Sequence, residues 1–134
     1  MFFKLTVSTV SSIQLARYVI SFAWLYHGIF PKLVHVAPLE SLIMSSIGFS
    51  NEVSLLITRV AGIGEVIFGV FFFIYYQTYL ANVLNIVGLT VLLASVAVLQ
   101  PQILIEAFNP VTTNIPLVAL SLVLINHVRE IKVK

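Results

Sequence analysis

Four stretches of mostly apolar residues, roughly 13–30, 53–76, 79–99 and 110–128, occupy most of this chain. Each is about as long as a helix must be to cross a hydrocarbon layer of about 30 Å, given a rise of about 1.5 Å per residue. Inside lipid every backbone N–H and C=O needs an internal partner, and an α-helix supplies those partners within its own segment. The pattern therefore predicts an all-α, polytopic membrane protein. Its expected architecture is a four-transmembrane-helix bundle, with residues 1–134 forming a single membrane domain in the lipid bilayer. Composition agrees: 60% of residues are hydrophobic and 9% charged, against about 25% charged in a soluble domain. Lys4 followed by an apolar run superficially resembles a signal peptide, but the run carries Arg17, is long, and lacks a small-x-small cleavage site. It is read as a retained span.

Local signals set the expected ends. Pro31 lacks an amide hydrogen and disfavours helix at the residue before it, so the first helix is expected to stop at Phe30. Ser50 or Asn51 caps the second helix, with Glu52 in its positive first turn. The third ends before Pro101. Asn109-Pro110 opens the fourth as cap and first helical residue. Pro116 lies inside that helix and should kink it, with Thr112 and Thr113 available to the freed backbone groups. Leu39, Leu42, Ile43 and Ile47 follow a helical period and stop at Gly48, which predicts a short interfacial helix in the first long loop. Pro101 to Phe108 reads as another short element. Lys4, Arg129, Lys132 and Lys134 flank the outermost spans, so both termini are expected on the cytoplasmic side of a bacterial inner membrane.

Several kinds of chemistry are excluded. With no cysteine, disulfides, thiolate metal sites and dithiol redox chemistry are absent. A scattered net charge of +2 offers no nucleic-acid surface. No metal-ligand spacing, phosphate loop or catalytic triad is present, so no metal site is expected and no catalytic residue is assigned. The chain is not expected to be an enzyme on its own.

What remains is a set of ionisable groups inside or beside the spans, where each costs roughly 2.5–3.5 kcal/mol on insertion scales and should face a partner. Arg17 is read as snorkelling to cytoplasmic headgroups and Arg59 as paired. Glu65 stands in a strip of small residues, Ala61, Gly62 and Gly69, that invites close helix contact. It can be interhelical glue or a proton-handling group. His27 can be a core hydrogen-bonder, a proton relay or a haem ligand, and the lack of a second suitable histidine counts against haem. His35 and His127 lie near the ends of spans and carry no assignment.

Trp24-Leu25-Tyr26-His27-Gly28-Ile29-Phe30-Pro31-Lys32, then Glu40, then Arg59 with Gly62-x-x-Glu65-x-x-x-Gly69, then Ala107-Phe108-Asn109-Pro110 with Asn114, together resemble the DoxX-like family of small bacterial membrane proteins. The resemblance implies a membrane subunit near quinone-dependent sulfur oxidation or a redox-stress complex, with a quinone as one ligand class. The expected site is an outer-side polar pocket for a small lipophilic or anionic ligand, lined by His27, Lys32, Glu40, Arg59, Glu65, Glu106 and Asn109. Two other readings stand beside it. One is a non-catalytic accessory subunit of a redox-complex partner. The other is a small transporter built as a homo-oligomer.

Overall fold

The computed structural model describes residues 10–134 and is helical throughout: α1 (Ser12–Gly28), α2 (Pro38–Ser46), α3 (Asn51–Tyr75), α4 (Tyr79–Leu99) and α5 (Pro110–Val133), with a π turn (Ile29–Val34) and a 3₁₀ turn (Pro101–Ile105). Three helices, α3, α4 and α5, are long and apolar enough to cross a membrane. The expectation for Lys4 falls outside the described residues.

The helix starts are built as their sequences require. The Ser11, Ser50 and Thr78 side chains accept from amides in the first turns of α1, α3 and α4. Asn109 works in both directions, accepting from the Val111 and Thr112 amides at 2.9 and 3.2 Å and donating to the Glu106 carbonyl at 2.9 Å. The residue before it, Phe108, is held at φ 56°, a left-handed conformation that a bulky residue seldom adopts. Gly48, at φ 92°, lets the chain turn sharply after α2.

The first correction concerns Pro31. Helical backbone does not stop at Phe30 but runs on as the π turn to Val34. The His35 amide reaches the Phe30 carbonyl at 3.1 Å, five residues back. Widening the turn by one residue accommodates a proline that has no amide to give. A second correction concerns α5. The Thr112 and Thr113 hydroxyls donate to the carbonyls of Asn109 and Pro110, before the turn in which Pro116 withholds its amide. The helix nevertheless continues unbroken to Val133.

Two kinds of contact assemble these elements. The first is steric. A Cβ on Gly28 would lie 2.6 Å from the Gly62 carbonyl, and one on Gly62 would lie 2.8 Å from the Gly28 carbonyl. The backbones of α1 and α3 thus touch directly, as small residues permit in membrane bundles. Gly69 gives the same room to Leu25 one crossing further along. The small-residue strip therefore runs through Gly62, Glu65 and Gly69, and Ala61 stands outside it on an exposed position.

The second kind is polar. Trp24 Nε1 donates to Asn85 Oδ1 at 2.6 Å, and Asn85 Nδ2 donates to Ser121 Oγ at 2.7 Å. One buried chain of hydrogen bonds so links α1, α4 and α5. Asn114 Nδ2 adds a bond to the Leu89 carbonyl at 3.2 Å. Arg17 is tied down too. Its Nε donates to the Phe73 carbonyl at 2.8 Å and its guanidinium lies 3.9 Å from the Phe73 ring centroid and 4.5 Å from that of Tyr76. It acts as a cation at the C-terminal end of α3, where the helix dipole favours one.

The glycine contact is directly testable. Gly28→Ala and Gly62→Ala should each destabilise the protein by about 1–3 kcal/mol, the usual cost of overpacking. Gly64→Ala, where a Cβ meets nothing within 4 Å, should be neutral or mildly stabilising. Reversible unfolding in mixed micelles measures all three, and equal losses would contradict the packing described.

Candidate functional site

Below the π turn the bundle opens into a cavity of about 470 Å³, within the range of small-ligand sites, roughly 300–1,000 Å³. Most of its wall is apolar: Leu89, Leu92 and Val96 from α4, Ile57 from α3, Ile103 from the 3₁₀ turn and Leu117 from α5. Leu39, Ile43, Met44 and Ile47 cover it from α2, one helical face of an element with no buried residue of its own. The Gln100 amide donates to Ser46 Oγ and fastens the end of α2 to the end of α4.

The polar end of the cavity is set by three side chains from three elements. Lys32 leaves the π turn and its ammonium donates to Glu65 Oε1 on α3. Both side chains are about nine-tenths buried. Glu40 on α2 stands 3.8 Å from the same ammonium and is a quarter exposed. Burial raises the Glu40 carboxyl above the usual glutamate range; Lys32 opposes that shift and the nearby Glu65 charge adds to it.

One oxygen of Glu65, Oε2, is buried with no hydrogen-bond partner, and so is Thr58 Oγ1, two turns earlier on α3. Both residues line the cavity. Buried acceptors without partners are rare in folded proteins, and each costs about 1–3 kcal/mol, more for a charged group.

Of the seven residues expected to form the pocket, His27, Lys32, Glu40 and Glu65 come together around this cavity. His27 stands exposed at the rim. The other three are elsewhere. Arg59 is exposed on the flank of α3 and makes no ion pair among the described residues. Glu106 is exposed after the 3₁₀ turn. Asn109 is occupied with capping α5. Sequence reasoning missed Thr58 and Trp24 as wall residues. Thr58 carries a readable signal, since it is seven residues before Glu65 and so on the same helical face.

A profile described as the DoxX-like family matches residues 21–122, more than half of the chain. The chain belongs to the DoxX-like family. The matched segment of this DoxX-like chain runs from within α1 to within α5 and contains every polar residue of the cavity. No curated protein and no solved structure matches the chain.

Two predictions follow from the charges. Lys32→Met alone leaves Glu65 buried without its cation and should cost about 3–5 kcal/mol, whereas Lys32→Met with Glu65→Leu should recover most of that loss. A double-mutant cycle on unfolding stability measures the difference. A double variant as unstable as the single one would mean that the two charges are not simply compensating each other. For Glu40, the folded state holds its proton more tightly than the unfolded state does. Its contribution to stability should therefore fall as pH rises from the ordinary glutamate range through its raised value. Glu40→Gln should lack that fall in a stability–pH profile.

Proposed function

We propose that this DoxX-like protein binds a small lipophilic ligand in the cavity between α2, α3 and α4, with the ligand's polar head at Lys32, Glu40 and Glu65. The observation that carries the reading is the pairing of an apolar chamber with an unpartnered, buried Glu65 oxygen at one end. A ligand would cover the apolar wall and answer the polar end. In the same reading α1, extended by the π turn, is the fourth span, and α2 lies at the membrane interface beside the outer ends of the bundle. Both termini then face the cytoplasm of a bacterial inner membrane. A quinone is the ligand class that the family resemblance brings to this pocket, and a redox-complex partner would then supply or receive electrons.

A second reading has its own support. The Lys32–Glu65 pair joins the π turn to α3 and would serve equally as glue in a non-catalytic accessory subunit or in a homo-oligomer.

Mass spectrometry of the lipophilic molecules retained when the protein is extracted in its native membrane patch separates the two. The pocket reading expects one species near one per chain, well above its level in surrounding lipid, and lost in the charge-neutral Lys32→Gln/Glu65→Gln variant. No enriched species in the unaltered protein would leave the accessory-subunit reading in its place.

A further inference from the structure

The charges at the polar end of the cavity are unbalanced, and the imbalance specifies the head group. Two carboxylates, Glu40 and Glu65, face a single ammonium, Lys32. That ammonium is already engaged by Glu65. The atoms left without partners are Glu65 Oε2, which when ionised can only accept, and the Thr58 hydroxyl, which can do either. His27 at the rim is the remaining titratable group on the cavity wall. An anionic head would meet excess negative charge and, among the described residues, find no lysine or arginine on the cavity wall besides the engaged Lys32. An oxidised quinone offers acceptors only and leaves Glu65 Oε2 unanswered; its reduced quinol form can donate to it but brings no positive charge. A head that both donates hydrogen bonds and carries positive charge answers Glu65 Oε2 and the excess carboxylate together.

Resting on the cavity's being a ligand site, we infer that its ligand is an amphiphile with a protonated amine head, the ammonium bound between Glu65 Oε2 and Glu40 and the hydrocarbon body lying along Leu89, Leu92 and Met44. Burial raises the Glu40 carboxyl, with the Glu65 charge adding to the shift and Lys32 opposing it, and a cation bound beside it would favour the ionised form. Charge-assisted hydrogen bonds to a carboxylate are the strong ones. The amine should therefore gain more from this end of the cavity than any neutral head of the same size.

Trp24 is the single tryptophan of the chain and lines the cavity, so its fluorescence reports occupancy without a label. The experiment titrates the full chain in zwitterionic nanodiscs with dodecylamine, 1-dodecanol and dodecanoate, each expressed as mole fraction of lipid. Dodecylamine should shift Trp24 emission saturably and bind roughly tenfold or more tightly than dodecanol, with dodecanoate weakest. Glu40→Gln, which leaves the buried Lys32–Glu65 pair intact, should narrow the gap between amine and alcohol severalfold. Dodecanol binding as tightly as the amine, or dodecanoate more tightly, would overturn the head-group inference while leaving a ligand cavity. No saturable change with any of the three would overturn the cavity reading as well.

Discussion

The direct backbone contact between Gly28 and Gly62 governs most of what lies around it. Lipid tails are as apolar as leucine, so two helices in a membrane gain little by covering hydrophobic surface and must gain by close fit and by polar contact. The two glycines give the close fit. Because the chain widens into a π turn immediately after Gly28, the next residues leave α1 at an angle that carries Lys32 over the same glycine, where a Cβ on Gly62 would come within 2.8 Å of Lys32 Cβ. From there the ammonium reaches Glu65, one turn further along α3. A bulkier residue at Gly62 would separate the helices and the charges together.

That dependence explains how a charge pair can exist at this depth. A buried pair is seldom stabilising in itself, because removing two ions from water costs about as much as their attraction returns. Here the pair sits beside the close glycine packing, and its geometry is incomplete, with Glu65 Oε2 unanswered and Glu40 3.8 Å from the same ammonium. The Trp24–Asn85–Ser121 chain, which only holds helices together, is satisfied at each link, and the other unpartnered oxygens, on Ser21, Ser54 and Asn82, lie off the cavity wall and carry no charge. The contrast between the two arrangements within one bundle is the reason for assigning a ligand to the unsatisfied one.

Much of the fold was legible because its signals are local. Lengths of apolar runs, the Asn109-Pro110 start and the period of Leu39, Ile43 and Ile47 depend only on neighbouring residues. The site was half legible. Glu65 and its small-residue strip announced themselves, and Lys32 and Glu40 entered through the family resemblance. Their meeting did not follow from sequence, since Lys32 and Glu65 are 33 residues apart and the contact depends on how far α1 and α3 are each rotated. Pro31 misled because proline usually ends a helix, and one extra residue in the turn was enough to carry the chain past it. Arg59 and Arg17 show the same limit: charge on an apolar helix says that a partner is needed, and within the protein Arg17 finds the Phe73 carbonyl, the Gln14 amide oxygen and neighbouring aromatic rings.

α4 carries no Asp, Glu, Lys, Arg or His and is apolar on nearly every side, so nothing in its hydrophobicity tells it which face to turn inward. Asn82 and Asn85 supply that information. Both are fully buried; Asn82 folds back onto the Tyr76 and Thr78 carbonyls and Asn85 joins Trp24 to Ser121. Two amides three residues apart mark one side of an otherwise uniform cylinder, and an unbonded amide facing hydrocarbon penalises the other orientations. The inward face of α4 is thus chosen by hydrogen bonds to α1 and α5, and not by the leucines and valines that make the helix apolar on every side.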